Sequence, residues 1–154
     1  MRNIVHVTNL YHARHIAKDY DVTISLGWDV EAEFRKPGSK HLFIDVDDIE
    51  FADIEGKDKD QYTKPVSKFV IPNMSHVHQI MDFARSTKQG EKILINCYAG
   101  YSRSPATAII VLTTLGIKTF IHAQQTINEH VIPHEHYTAG VKPNDILLNQ
   151  FTLR

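Results

Sequence analysis

The sequence predicts an α/β fold in which a central, mostly parallel sheet carries helices on both faces. Short apolar segments with strand character alternate with longer segments whose apolar residues recur at helical spacing. Strands in such an order need crossover connections, and these place helices on both faces of the sheet. At 154 residues, of which 42% are hydrophobic and 23% charged, the chain is expected to form one domain, residues 1–154.

The first part of the chain predicts three strands and one helix. Residues 3–8 are predicted as an edge strand, and residues 11–19 as a short helix because its apolar residues lie on one side. Residues 22–26 form an apolar strand that ends at a glycine, and residues 31–39 are polar with a Pro-Gly pair, which indicates a loop. Residues 41–46 are a third strand, which leads into an acidic turn.

The second part adds one strand and four helices. Residues 53–65 are dominated by charge and are predicted as a solvated excursion. Apolar residues at helical spacing predict a helix from about residue 73 to residue 87, and residues 92–96 form a buried strand. An apolar helix over residues 106–115 and two amphipathic helices over residues 119–130 and 144–153 complete the chain.

The most informative segment lies between the last strand and the apolar helix, and reads Cys-Tyr-Ala-Gly-Tyr-Ser-Arg-Ser-Pro from Cys97 to Pro105. It contains the only cysteine of the chain. Ser104 is predicted as the helix N-cap and Pro105 as the first helical residue. The six residues before Ser104 must therefore turn sharply between a strand end and a helix start.

Such a turn is suited to binding an anion. Its backbone N–H groups converge, and the helix N-terminus adds partial positive charge at the same point. Gly100 supplies the positive φ or close approach that a tight loop needs, and Arg103 can offer two parallel N–H donors to a tetrahedral oxyanion. This environment favours the thiolate of Cys97 over the thiol, and so predicts a nucleophile beside a dianion site.

These residues resemble the phosphate-binding loop of the cysteine-based protein tyrosine phosphatases. The Gly-Tyr-Ser-Arg-Ser-Pro run is most similar to the dual-specificity branch, and the last helix, with Pro143 and Asn144 at its start, resembles small bacterial and phage members. The resemblance implies a cysteine phosphatase fold and metal-independent hydrolysis of phosphomonoesters through a phosphocysteine, with no cofactor. The alternative is an inert buried cysteine at a strand end.

The resemblance also implies a role for each residue of the motif. Cys97 is the nucleophile, and Arg103 with the loop N–H groups binds the phosphoryl oxygens most strongly in the transition state. Ser104 donates its hydroxyl to the sulfur when water hydrolyses the intermediate, in addition to capping the helix. The phosphate-binding residues are Tyr98, Ala99, Gly100, Tyr101, Ser102 and Arg103.

The leaving group needs a proton, and in the family this comes from an aspartate after a strand upstream of the cysteine. The strand at residues 41–46 ends in an aspartate pair, of which Asp48 is the preferred acid and Asp47 its nearest rival. Further candidates are Asp53 and the pair Asp58 and Asp60. Aspartates in loops are also common as solvated turn formers.

Asn96 departs from the family, which usually has histidine just before the cysteine. Asparagine can still bond the loop carbonyls, but turnover is expected to be slower. Together with the long segment after Asp48, this departure motivates an alternative function: a phospho-ligand-binding module with little turnover.

The loop suggests a class of substrate. Tyr98, Ala99 and Tyr101 add no positive charge, which favours a phosphorylated protein or small phosphomonoester over a polyanion, with phosphotyrosine, phosphoserine and phosphothreonine all open. Tyr98 and Tyr101 either line the pocket mouth and stack on a phenyl ring or pack beneath the loop.

Composition narrows partners and location. A net charge of −1 argues against nucleic acid and anionic membranes. A lone cysteine suits a reducing compartment, and no signal peptide is evident at the start, so a cytoplasmic protein is expected. The ten histidines show no compact ligand spacing, so no metal site is predicted, and oligomeric state is left open.

Overall fold

The computed structural model describes residues 2–54, 69–133 and 140–154. Its described strands form one parallel sheet in the order β1-β4-β2-β3. The strands are β1 (Ile4–Asn9), β2 (Val22–Leu26), β3 (Lys40–Ile44) and β4 (Lys92–Cys97). The α/β class and the parallel sheet predicted from the sequence are confirmed, although β3 ends two residues before the predicted strand does.

The described helices agree in order with the predicted ones. They are α1 (Leu10–Ile16), α2 (Phe51–Ile54), α3 (Met74–Arg85), α4 (Arg103–Thr114), α5 (Phe120–Thr126) and α6 (Asp145–Leu153). Helices α1 and α5 each continue as a short 3₁₀ turn, at Ala17–Asp19 and Ile127–His130. The start of the predicted charged excursion is helical in α2, and the rest of it, residues 55–65, lies outside the described residues.

The sheet has helices on both faces. Ile93 and Ile95 of β4 belong to the larger apolar cluster, in which the sheet packs against α3, α4 and α6. Leu94, between them, belongs to a smaller cluster with residues of α1. Because successive side chains of a strand point to opposite faces, these two clusters are the two sides of the sheet. None of the helices in the described parts of the chain is long and apolar enough to span a membrane.

The parallel arrangement brings several segments to one edge of the sheet. In the pairing registers, Asn9 lies opposite Cys97, and Leu26 lies opposite Ile44, so the carboxyl ends of the strands share that edge. In open α/β sheets this edge is where ligands bind. The segments that follow β2, β3 and β4 therefore meet there.

Candidate active site

The cysteine loop, residues 97–103, joins β4 to α4 and is held from outside through its carbonyl groups. Three of these carbonyls accept hydrogen bonds from backbone N–H groups elsewhere in the chain. The pairs are Tyr98 with Leu10 at 3.1 Å, Tyr101 with Lys142 at 3.0 Å and Ser102 with Asn144 at 3.0 Å. In a trans peptide the C=O and N–H groups point in opposite directions. The N–H groups that share those peptides therefore point into the loop.

Gly100 lets the loop lie against the end of β1. Its φ is +71°, and a Cβ at this position would come 2.7 Å from the backbone nitrogen of Asn9. The same Cβ would lie 2.7 Å from the carbonyl carbon of Thr8. Only glycine fits both the backbone angle and this approach.

Cys97 lies at the end of β4 with 2% of its surface exposed. Its Sγ is 3.2 Å from Oγ of Ser104, which is fully buried in the first turn of α4. The predicted N-cap role of Ser104 is wrong, since α4 begins at Arg103 and Ser102 is its N-cap residue. Pro105 is then the third helical residue, where a missing N–H costs nothing because that group has no intrahelical acceptor.

The guanidinium of Arg103 lies between the ends of β2 and β3. Its Nη1 donates to the carbonyl of Val46 at 2.9 Å, and a Cβ on Gly27 would come 2.2 Å from the same nitrogen. Nε of Arg103 is buried and has no hydrogen-bond partner within the described residues. A buried donor is normally paired, so this group fits a site that binds an anion.

Asn96 has a different partner from the one expected. It is fully buried, accepts a hydrogen bond from Oγ of Ser25 at 2.6 Å, and donates to the carbonyl of Trp28 at 3.2 Å. The expected bond to a carbonyl of the cysteine loop is therefore not the one formed. Asn96 instead fixes the turn after β2.

Among the described residues, Asp48 is the aspartate whose carboxylate contacts the cysteine loop. Its Oδ1 accepts from Oγ of Ser102 at 2.7 Å and from Nδ2 of Asn144 at 3.1 Å. The residue is exposed, so a substrate can reach the carboxylate.

The rival aspartates have other contacts. Asp47 accepts from the backbone N–H of Val70 at 2.7 Å, so its carboxylate is engaged there. Asp53 accepts from the N–H of Glu50 at 2.8 Å, at the start of α2. Asp58 and Asp60 lie outside the described residues.

Structural comparison identifies the fold. Human DUSP28 superposes with a TM-score of 0.60 at 13% identity over 97% of this chain and 89% of its own. The Yvh1 phosphatase domain from Chaetomium thermophilum gives 0.59 at 20% identity, over 97% and 88% of the two chains. The human tyrosine phosphatase-like serine/threonine/tyrosine-interacting protein gives 0.58 at 18% identity, over 99% and 95%.

The chain has the fold of the dual-specificity cysteine phosphatases. Neither a protein-family profile nor a curated protein sequence matches it. The resemblance of one short motif thus extends to the architecture of nearly the whole chain.

Glu50 is a residue beside the cysteine loop that sequence reasoning missed. Its Oε1 lies 3.4 Å from Oγ of Ser102, and its Oε2 lies 3.5 Å from Nζ of Lys142. Burial raises the pKa of Glu50; the charge of Lys142 lowers it, and the charges of Asp145 and Asp48 raise it. No local sequence pattern signals this cluster, because its members are brought together by the fold.

Trp28 was also missed. Its ring lies 5.1 Å from that of Tyr98, centroid to centroid, at an interplanar angle of 47°. Tyr98 and Tyr101 are 59% and 46% exposed, so the alternative that they pack beneath the loop is wrong. The position of Trp28 directly after a predicted strand was the available signal for its place near the site, because ligands bind at the carboxyl ends of the strands in a parallel sheet.

Several histidines of the described residues have structural contacts. Nδ1 of His76 accepts from the N–H of Asn73 at 3.1 Å and completes a capping box at the start of α3. Within the described ranges, no three His, Cys, Asp or Glu side chains form a cluster able to hold a metal ion. His134 and His136 lie outside them.

Proposed function

We propose that the chain is a protein phosphatase that hydrolyses phosphomonoesters through a phosphocysteine, without a metal ion. The observation that carries this proposal is the placement of Cys97 Sγ 3.2 Å from Ser104 Oγ, inside a loop whose carbonyls are held outward. The buried guanidinium of Arg103, whose Nε has no partner among the described residues, supports it. The fold of the structural neighbours is that of phosphatases of this type.

The proposed reaction gives each of these groups a role, and Asp48 acts in both steps. The thiolate of Cys97 attacks phosphorus, the P–O bond to the substrate breaks, and Asp48 gives a proton to the departing oxygen. Arg103 and the loop N–H groups bind the three equatorial oxygens where negative charge develops. Water then attacks the phosphocysteine, Asp48 takes its proton, and Ser104 donates to the departing sulfur.

The favoured substrates are phosphorylated proteins or small phosphomonoesters. One structural neighbour, PTPMT1, has been solved in complex with PI(5)P. Between Cys97 and Arg103, however, this chain has no lysine to bind additional phosphates. The net charge of −1 supports neither nucleic acid nor an anionic membrane as partner, and the lone cysteine supports a reducing compartment such as the cytoplasm.

Hydrolysis of para-nitrophenyl phosphate tests the proposal. We expect turnover that persists in a chelator, is blocked by vanadate and is lost in Cys97→Ser, because serine is a far weaker nucleophile at neutral pH. Circular dichroism and thermal unfolding of the variant serve as the control for folding. Turnover that needs a metal ion, or that survives in Cys97→Ser, contradicts the proposed mechanism.

Asp48→Asn tests the acid. We expect a loss of about a hundredfold on phenyl phosphate and a much smaller loss on para-nitrophenyl phosphate, whose leaving group needs little protonation. Asp47→Asn is the matched control, because its carboxylate contacts Val70 instead of the cysteine loop. Equal losses on both esters in Asp48→Asn would assign the proton to another group.

A phospho-binding module with little turnover is the second candidate. It is favoured by Asn96, which contacts the turn after β2 and not the cysteine loop, so the usual support of the loop by histidine is replaced. Phosphopeptide binding by calorimetry, combined with the absence of product release from the same peptide, would favour this module over the enzyme.

A further inference from the structure

Two large aromatic side chains lie exposed beside the cysteine loop. Trp28 is 51% exposed and Tyr98 is 59% exposed, although their rings contact each other at 5.1 Å. An exposed apolar surface beside a polar site often marks the place where the apolar part of a ligand binds. We call this pair the aromatic wall.

The backbone that carries Trp28 is held next to the phosphate-binding groups. On one side its carbonyl accepts from Asn96, the residue before Cys97. On the other side the preceding residue, Gly27, lies so close to Arg103 that a Cβ would meet Nη1 at 2.2 Å. The backbone of Trp28 is therefore tied to the residue before the nucleophile, and the residue before Trp28 lies against the guanidinium.

Tyr98 is anchored as firmly. It directly follows Cys97, and its carbonyl accepts from the N–H of Leu10 at the start of α1. The backbone of each of these two aromatic residues is thus fixed by a hydrogen bond next to the cysteine loop. The wall is preformed, so it loses little conformational freedom when a ligand binds.

We propose that Trp28 is a specificity-determining residue, which with Tyr98 makes the site prefer aryl phosphates, and hence phosphotyrosine, over alkyl phosphates. The proposal rests on the proposed phosphatase function. When Arg103 binds the phosphoryl group, the ester substituent lies at the rim of the loop, next to the rings of Trp28 and Tyr98. A phenyl ring gains offset or edge contacts with these rings, whereas the short chains of phosphoserine and phosphothreonine do not.

Kinetics on matched peptides test the preference. For two peptides that differ only in phosphotyrosine against phosphoserine, we expect Trp28→Ala to lower kcat/KM about tenfold for the former and less than about twofold for the latter. Trp28→Phe should restore most of the loss because it keeps a ring. Phe43→Ala is the control, since this aromatic is 42% exposed on β3, which β2 separates from the strand that leads into the cysteine loop. Equal losses on both peptides would overturn the proposal.

A binding measurement separates this proposal from the proposed function. Trp28 is the only tryptophan of the chain, so intrinsic tryptophan emission reports on the wall itself. In Cys97→Ser we expect phenyl phosphate to change the emission strongly and inorganic phosphate to change it little.

The two failures are distinguishable. Suppose that the wild-type chain shows no hydrolysis of any ester, while phenyl phosphate still changes the tryptophan emission. The catalytic proposal then fails, and the proposed role of the aromatic wall is retained. If inorganic phosphate and phenyl phosphate change the emission equally, or neither changes it, the wall does not contact the ring and the inference fails, whatever the activity.

Discussion

The cysteine loop and the acid segment, residues 45–54, meet at the same edge of the sheet but are held in different ways. The loop runs from a buried strand into a buried helix, and its terminal residues Cys97 and Arg103 are 2% and 8% exposed. The acid segment follows β3, an edge strand of the described sheet, and Asp48 within it is exposed. The carbonyls of the loop accept hydrogen bonds from backbone N–H groups elsewhere in the chain, whereas the carboxylate of Asp48 is held by side chains of distant residues.

Asn144 connects the two regions. This fully buried residue donates its backbone N–H to Ser102 of the loop at 3.0 Å, and its Nδ2 donates to Asp48 at 3.1 Å and to the carbonyl of Ile49 at 3.0 Å. Its Oδ1 caps α6 by accepting from Leu147. One residue thus links the cysteine loop, through its backbone, to the proposed acid, through its side chain.

The largest effect is expected from Gly27→Ala, since Gly27 follows β2 and lies against Arg103 of the cysteine loop. At φ +75° the new Cβ would lie 2.2 Å from Nη1 of Arg103 and 2.8 Å from the carbonyl of Val46, so the guanidinium must move. We expect kcat on para-nitrophenyl phosphate to fall about a hundredfold or more, as when an oxyanion donor is removed.

Gly38→Ala is the matched control for backbone strain. Gly38 has φ +78°, but a Cβ there has no atom within 4 Å. Gly38→Ala should lose about 1 kcal/mol of stability, measured by urea unfolding, because it puts alanine in the left-handed region. Gly27→Ala should lose more, because its Cβ also meets the backbone carbonyl of Val46. If Gly38→Ala loses as much activity as Gly27→Ala, the loss is due to strain and not to the displaced arginine.

A smaller, selective effect is expected in the acid segment, from Asn144→Ala. The variant loses the hydrogen bond to Asp48, so we expect about a tenfold fall in kcat on phenyl phosphate and less than about twofold on para-nitrophenyl phosphate. Asn144→Asp should show the same pattern, because aspartate can cap α6 but cannot donate.

Asn73→Ala is the control for the cap. Oδ1 of Asn73 accepts from the N–H of His76 at the start of α3, as Asn144 does at α6, but Asn73 has no contact with Asp48. Both alanine variants should lose about 1 kcal/mol of stability. A loss of activity that is equal for both esters in Asn144→Ala would show that Asn144 supports folding alone.

The same contrast explains what the sequence could predict. The strand–loop–helix segment was predictable because strand, cysteine, glycine, arginine and helix follow one another within a few residues. The helix start was misplaced, since a serine-proline pair is a common N-terminal signal, while here the hydroxyl of Ser104 turns to the sulfur. Glu50 was missed because its contact with Ser102 is made by the fold and is not encoded by any local pattern. Gly27 and Trp28 did have a local signal, their position directly after a predicted strand.

The smallest expected effect concerns the charge of the acid segment. Burial raises the pKa of Glu50. The positive charge of Lys142 lowers this pKa, and the negative charges of Asp145 and Asp48 raise it further. Between the ordinary pKa of glutamate and this raised value, the folded chain binds more protons than the unfolded chain. The free energy of unfolding therefore falls as the pH rises through that window. Glu50→Gln should flatten this dependence and raise the Tm slightly at neutral pH.

Glu31→Gln is expected to change the pH dependence in the opposite sense. The hydrogen bond from Arg14 holds the pKa of Glu31 below its ordinary value, so its contribution to stability is present at neutral pH and fades as the pH falls. Thermal unfolding of both variants across a pH series compares the two slopes directly. If Glu50→Gln behaved as Glu31→Gln does, the favourable charge of Lys142 would outweigh burial and the neighbouring aspartates. The acid segment would then be stabilised by its charges, whereas the cysteine loop is held by hydrogen bonds between backbone groups.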